Sequence, residues 1–325
     1  YNFQELRPRL AKEGFRFQTQ SDTEVILAAY AIHGEKCVDL FQGMFAFAVW
    51  DKQQKSLFLA RDRVGKKPLY YYHDNDKFVF ASEMKAILAF PNIERNMDFE
   101  ALNYYLTYGY IPAPMTIFQG IRKLGEAHYG VFKDDSFSER AYWTLPEPLS
   151  SRMSESESIE KLENLLGQAV NSRLISDVPL GAFLSGGIDS SAIVAMMAKS
   201  GKKVNTFTID FAEKTHSEID DANLVAEHCK TEHKTLQVST QAIDDLPKLA
   251  WHFDEPFADS SALPTYYVSK IAREHVTVIL SGDGGDELFA GYNSYQNRNE
   301  HALLMSLPAG LRRHVIGSIA NTMPM

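Results

Sequence analysis

The sequence predicts two fold classes in succession, an α+β region with an antiparallel sheet and then an α/β region built on a doubly wound parallel sheet. Short aromatic and β-branched runs between turn residues fill the first part. Strands and helices alternate after residue 159. A polar, Pro/Ser-rich stretch lies between the two patterns, as is typical of a linker. We expect a first domain over residues 1–147, a linker over 148–157 and a second domain over 158–325.

Composition narrows the classes of partner. The chain has 325 residues and a hydrophobic content of 45%, which are enough for two full cores. Its net charge is −9. With no clustered basic patch, this charge argues against nucleic acid and anionic membranes as partners. The lack of a membrane-length apolar run and of a signal peptide predicts a cytoplasmic protein. The two cysteines, Cys37 and Cys229, are expected to be reduced thiols rather than a disulfide.

The elements of the first region follow from hydrophobic spacing. Leu6 and Leu10 place one helix over residues 4–13, and a second over 22–34 begins at the Ser21–Glu24 start signal. The predicted strands, in the pattern of an antiparallel meander, cover residues 45–51, 56–63, 68–73 and 77–82. The remaining predictions are helices over 83–89 and 98–107, an irregular loop over 110–115 and a strand over 129–133.

In the second region, segments with the hydrophobic pattern of helices alternate with segments that have the pattern of strands. Its predicted helices cover residues 159–175, 188–199, 218–230, 243–251 and 264–274. Its predicted strands cover residues 178–184, 204–210, 234–238 and 275–280. Strands that alternate with helices of this length indicate a parallel sheet with helices on its faces.

A glycine-rich loop, Phe183–Ser191, joins a buried strand to a helix start. Unpaired N–H groups and the helix dipole make such a junction suitable for phosphate. Gly186 and Gly187 allow close backbone approach, and Asp189 is expected to hold a divalent cation that bridges to the phosphates. Further donors are the hydroxyls of Ser185, Ser190 and Ser191. The alternative is a tight turn in which Asp189 or a serine caps the helix.

A second acidic loop, Ser281–Tyr292, follows the last predicted strand. Loops at the carboxyl ends of parallel strands line one crevice, so both loops can face one ligand. Asp286 could complete the cation site, and Asp283 could meet a second substrate or an adenylated intermediate. The backbone of Ser281 and Gly282 could pack against a base or sugar. The alternative is a glycine-rich helix entry with acidic caps.

These motifs resemble those of glutamine-hydrolysing asparagine synthetases over nearly the whole chain. The resemblance implies an adenine nucleotide α-hydrolase type of fold, ATP as substrate and Mg²⁺ as cofactor. In that resemblance Ser185–Ser191 binds pyrophosphate, Asp189 and Asp286 ligate magnesium, and Asp283 is the catalytic position at the aminoacyl-adenylate. The implied contacts of the adenine and nucleotide are Leu184, Ile209, Ser281 and Gly282.

The first region resembles the class II glutaminase domain, an N-terminal-nucleophile αββα sandwich. The resemblance implies that Asp22 binds the α-amino group of glutamine, although by itself Asp22 would more often be a helix cap. The family's N-terminal Cys is absent, and the internal Cys37 and Cys229 cannot replace it. The family's late lysine would lie beyond Met325. We therefore expect a fragment, truncated at both ends, without glutaminase activity.

The implied reaction is amidation of the aspartate side chain through an acyl-adenylate, with ammonia from glutamine. Alternatives are a relative that acts on a cell-surface sugar acid, a peptide or a β-lactam precursor, and a protein that binds nucleotide without turnover. The expected partners are small molecules, and a homodimer remains open. The sequence does not assign roles to Glu218, His233 or the segment 254–264, and predicts that Arg61, Asp62 and Arg63 form structural ion pairs.

Overall fold

The computed structural model describes residues 1–147, 153–211, 219–238 and 244–296, together with 306, 308 and 310. The helices of the first region are α1 (Phe3–Lys12), α2 (Asp22–His33), a 3₁₀ helix (Gly34–Leu40), α3 (Met84–Leu88) and α4 (Phe99–Tyr108). Its strands are β1 (Ala46–Asp51), β2 (Ser56–Arg61), β3 (Tyr70–His73), β4 (Phe78–Ala81), β5 (Ile121–Lys123), β6 (His128–Lys133) and β7 (Ser136–Ala141).

The strands of the first region form two antiparallel sheets, in the orders β1-β2-β6-β7 and β4-β3-β5. The side chains of β2 explain how the two sheets pack, because successive side chains of a strand point to opposite faces of its sheet. Phe58 joins the core under α1 and α2, whereas Leu57 and Leu59 join the core against Tyr71 of the second sheet. Met84 of α3 packs on the outer face of that second sheet. The layers therefore run helix, sheet, sheet, helix.

The predicted single meander is wrong, because β2 and β3 belong to different sheets. The chain turns sharply after β2 around the buried carboxylate of Asp62, which accepts hydrogen bonds from the N–H groups of Val64, Lys66 and Lys67 at 3.3, 2.9 and 3.0 Å. The sequence analysis also missed β5 and β7. Both lie at sheet edges, and β7 is short of apolar residues.

The second region is a four-stranded parallel sheet with helices on both faces, as predicted. Its helices are α5 (Glu155–Arg173), α6 (Ile188–Lys199), α7 (Ile219–Cys229), α8 (Leu246–Phe253), α9 (Ala262–Ala272), α10 (Gly285–Phe289) and α11 (Asn293–Gln296). Its strands, β8 (Leu180–Phe183), β9 (Asn205–Phe211), β10 (Glu232–Val238) and β11 (Val278–Leu280), lie in the order β10-β9-β8-β11. Val170 and Val194 pack on one face, and Val268 packs on Phe207 at the other.

Helix α5 begins earlier than predicted and takes residues from the expected linker. Ser154 and Glu157 form a reciprocal capping box, which satisfies N–H groups of the first turn and starts the helix at Glu155. Residues 155–157 of the predicted linker 148–157 are therefore helical, and 148–152 lie outside the described residues. Glu218 also lies outside them. Within the described ranges no helix is long and apolar enough to cross a membrane.

Candidate active site

The first glycine-rich loop connects β8 to α6 as predicted. Gly187 is the N-cap of α6, and no side chain in the described part of the chain caps it, so the first N–H groups of the helix can bind another acceptor. Ser190 fixes the loop from inside: its Oγ accepts a hydrogen bond from the Ser185 N–H at 3.2 Å and lies 3.0 Å from the Ser185 Oγ. The loop is thus held in one shape by its own serines.

Two separate features of the loop require a glycine at position 186. Its φ of +84° lies in the left-handed region that disfavours side chains. A Cβ there would also lie 2.7 Å from the Cβ of Asp221 and 2.8 Å from the backbone nitrogen of Ala222, at the start of α7. The close packing of α7 behind the loop therefore depends on this glycine.

The second acidic loop leaves the sheet next to the first one. Strands β8 and β11 are parallel neighbours, so the loops that follow them leave the same edge. In the second loop, the Ser281 hydroxyl donates to Oδ2 of Asp283 at 2.9 Å. Gly284, with a φ of +93°, leads into the short helix α10.

The two loops touch. A Cβ on Gly282 would lie 2.8 Å from the Ser190 backbone nitrogen, and one on Gly285 would lie 2.8 Å from Oδ1 of Asp189 and closer still to its Cγ. A Cβ on Gly291 would in turn overlap Oδ1 of Asp286. The glycines of the second loop therefore provide the space in which the carboxylates of Asp189 and Asp286 lie.

Both loops line one cleft of about 1440 Å³. The predicted site residues on its wall are Ser185, Gly187, Asp189, Ser190, Ser281, Gly282, Asp283 and Asp286. The sequence analysis missed the other wall, to which Phe253, Phe257 and Asp259 contribute. Part of this wall lies in the segment Asp254–Pro264. The unassigned motif in this segment was the sequence feature that could have indicated the wall.

Four predicted contacts lie behind the cleft wall instead. Leu184 is 1% exposed, and Ile209 packs in the core beside Phe207. The Ser191 Oγ is buried and has no hydrogen-bond partner among the described residues. Gly186 faces α7, as described above. None of these four lines the cleft.

The donor set of the cleft fits a magnesium ion that takes most of its ligands from phosphate and water. Within the described ranges, no group of three or more His, Cys, Asp or Glu side chains could hold a metal ion. Asp189 and Asp286 form no salt bridge with any described residue and line the same cleft. Mg²⁺ commonly uses one or two carboxylates together with phosphate oxygens and water. These two carboxylates meet that requirement.

Asp22 lies apart, in the first region. It borders a small cleft of about 90 Å³ that Phe45 and Phe47 also line. Its Oδ1 accepts a hydrogen bond from the Thr23 N–H at 2.7 Å, beside the Ser21 N-cap of α2. The carboxylate therefore lies at a helix N-terminus and lines a cavity with several aromatic residues.

Of the structural ion pairs predicted for Arg61, Asp62 and Arg63, one is present among the described residues, between Arg61 and Glu126 at 3.8 Å. Buried Arg61 donates to the backbone oxygens of Lys67, Leu124 and Gly65 at 2.9, 2.7 and 2.8 Å. Buried Asp62 accepts backbone N–H groups, and the Arg63 guanidinium lies 5.7 Å from the centre of the Trp143 ring.

His233 lies near the start of β10, in register with Thr206 of β9 and, across β9, with Ala182 of β8, and it does not line the cleft. Its Nδ1 is 2.9 Å from the Thr206 Oγ1, and burial lowers the pKa of the imidazole. This placement gives it a structural setting rather than a position in the cleft.

Comparison with known proteins agrees with this arrangement. A family profile described as glutamine amidotransferase domain matches residues 1–143, and one described as asparagine synthase matches residues 161–322. The chain therefore joins an amidotransferase region to a synthase region. It is 37% identical, over 100% of its length, to asparagine synthetase (glutamine-hydrolyzing) 1 of Bacillus subtilis, and 41% identical, over 98%, to a putative asparagine synthetase (glutamine-hydrolyzing) 2 of Methanocaldococcus jannaschii.

The chain belongs to the glutamine-hydrolysing asparagine synthetase family. It spans 51% and 62% of the lengths of those two relatives. Among solved structures, the NH3-dependent NAD synthetase of Campylobacter jejuni is similar at 15% identity, over 53% of this chain and 99% of that one. The TM-score of 0.30 is too low to define a shared fold.

Proposed function

We propose that the whole protein forms asparagine from aspartate with ATP and with ammonia derived from glutamine. The aspartate side-chain carboxylate attacks the α-phosphate of ATP, and pyrophosphate leaves. Ammonia then displaces AMP from the acyl-adenylate to give the amide. The observation that carries the proposal is the contact between the two acidic loops, which brings Asp189 and Asp286 to one cleft at the carboxyl edge of a parallel sheet.

The roles within the cleft follow from position and charge. The backbone of Gly187 and the N-terminus of α6 would bind the departing pyrophosphate, with the hydroxyls of Ser185 and Ser190 beside it. Asp189 and Asp286 would hold Mg²⁺, which when bound neutralises charge on the phosphates. Asp283 would face the acyl-adenylate.

For the buried positions the proposal is narrower than the family resemblance implies. Leu184 and Ile209 would shape the adenine pocket from behind its wall, because neither side chain lines the cleft. Gly186 would support the loop by letting α7 pack closely behind it, and Ser191 would support it rather than contact the nucleotide through its hydroxyl. Substituting them should therefore change the shape of the loop first and the affinity for ATP as a consequence.

The finer assignments of fold and surroundings complete the proposal. The first region would be an N-terminal-nucleophile type of αββα sandwich in which Asp22 binds the α-amino group of glutamine. The second would be of the adenine nucleotide α-hydrolase type. The domains would cover residues 1–147 and 158–325, with α5 as the first helix of the second. A homodimer in the cytoplasm would complete the assembly.

The test is the release of pyrophosphate and AMP by full-length protein supplied with ATP, magnesium, ammonium and aspartate. We expect aspartate-dependent release, and a loss of about 100-fold or more in Asp189→Asn and Asp286→Asn. Glu163→Gln, at an exposed carboxylate on α5, is the control and should retain full activity. If pyrophosphate and AMP are released only with a different carboxylate, that carboxylate and not aspartate is the substrate. ATP binding without release of AMP would refute turnover.

A further inference from the structure

The segment Phe253–Ser261, called the bridging segment here, faces both the cleft and the first region of the chain. Phe253 and Phe257 line the cleft, and their ring centres lie 5.1 Å apart. Asp259 and Ser261 line it as well. The segment is therefore one wall of the candidate nucleotide site.

Two acidic side chains of the same segment point away from the cleft, into the first region. Asp254 lies 2.8 Å from the Lys85 Nζ, and Glu255 lies 2.5 Å from the Lys123 Nζ. The Lys85 backbone N–H also donates to Oδ2 of Asp254 at 3.3 Å. A backbone hydrogen bond of 2.8 Å, from the Ala258 N–H to the Gly109 oxygen, continues the contact.

The backbone explains why neighbouring side chains diverge. Asp254 ends α8 in the left-handed conformation, with a φ of +65°, so the chain turns between Phe253 and Glu255. A non-glycine residue adopts this conformation at a cost, which surrounding contacts must offset. The salt bridge and the hydrogen bond to Lys85 are such contacts.

Both pairs are largely removed from solvent, unlike ordinary surface pairs. The side chains of Asp254 and Glu255 are 7% and 12% exposed, and that of Lys123 is 13% exposed. Lys123 is fixed by its own region, because its Nζ also donates to the Ile111 oxygen at 2.6 Å. A buried charge that loses its partner is strongly destabilising, whereas an exposed pair contributes little.

We infer that Asp254 and Glu255, held by Lys85 and Lys123, are positioning residues that fix one wall of the nucleotide cleft relative to the first region. They act through Phe253 and Phe257 and touch no substrate themselves. The inference depends on the proposed function only for the identity of the nucleotide. The inference gives the otherwise unassigned Asp-Glu-Pro motif a role, because the motif fixes the position of the synthase cleft wall relative to the first region.

The test compares full-length wild type with Lys123→Met, which removes the charge, and Lys123→Arg, which keeps it. We expect Lys123→Met to speed amide hydrogen exchange in peptides covering the bridging segment by about 10-fold. It should also raise the Kd for ATP, measured by calorimetry, by about 10-fold. Lys123→Arg keeps the charge of Glu255 paired and should stay within about 2-fold of wild type in both. The control is Lys199→Met, which breaks an exposed pair with Glu163 and should change neither quantity.

Loss of folding is controlled by a second variant. Lys123→Met combined with Glu255→Gln leaves no unpaired buried charge, and it should fold while still showing fast exchange in the segment. A lower melting temperature with unchanged exchange in the bridging segment would overturn the inference, because the pairs would then be merely structural. Fast exchange with an unchanged Kd for ATP would overturn the link to the cleft. If wild type neither binds ATP nor releases pyrophosphate, the proposed function fails, while the exchange result still decides whether the segment is anchored.

Discussion

Gly285→Ala should impair the candidate active site by displacing the carboxylate of Asp189, a proposed magnesium ligand, while leaving Asp189 itself unchanged. Gly285 is the first residue of α10, and a Cβ there would lie 2.8 Å from Oδ1 of Asp189 and closer to its Cγ and Oδ2. Non-bonded carbon atoms are most stable about 3.5–4.0 Å apart, so the carboxylate must move by about 1 Å. A displacement of about 1 Å at a reacting centre costs about 100-fold in rate, or about 2.7 kcal/mol.

The assay is aspartate-dependent pyrophosphate release by the full-length variant, together with its urea denaturation curve. We expect kcat/KM to fall about 100-fold and the free energy of unfolding to fall by about 1–3 kcal/mol from overpacking. Gly167→Ala is the matched control: Gly167 lies in α5, and the nearest described atom to a Cβ there would be the Met196 Sδ, at 4.0 Å. This control should keep full activity and gain about 0.5–1 kcal/mol of stability. Activity of Gly285→Ala within 2-fold of wild type would refute the steric reasoning.

Three further predictions concern the supporting structure. Asp62→Ala removes a buried acceptor of several backbone N–H groups and should lower the free energy of unfolding by about 3 kcal/mol or more in urea denaturation; a loss under about 1 kcal/mol would contradict this. Burial raises the pKa of Cys37 to about 12, so at pH 8 only about one molecule in 10⁴ carries its thiolate, and labelling by Ellman's reagent with peptide mapping should find Cys37 slower than Cys229. Burial lowers the pKa of His233 from 6.5, so the unfolded chain binds the proton more readily, and the free energy of unfolding should fall as the pH drops below about 6.5. His233→Gln should reduce that fall, and equal slopes in the two proteins would exclude the histidine as its source.

The predictability of the fold differs between its elements for physical reasons. The sequence predicts the parallel strand β8 from a short apolar run, and helix α6 from apolar residues that recur at helical spacing. The split of the first region into two sheets was not found, because β2 and β3 have similar patterns and their separation depends on the buried contacts of Asp62. Local hydrophobic pattern says which residues form strands, but long-range packing chooses which strands pair.

The candidate active site divides in the same way. Sequence alone determined the two acidic, glycine-rich loops, because a strand followed by glycines and a helix start is a local pattern whose chemistry depends on few residues. It also determined the family, since those words carry the resemblance. Only the tertiary structure decided that Leu184, Ser191 and Ile209 lie behind the cleft wall, and that Asp254 and Glu255 bind lysines of the first region. Burial and ion pairing between residues far apart in the chain depend on how the whole chain packs, which no local spacing records.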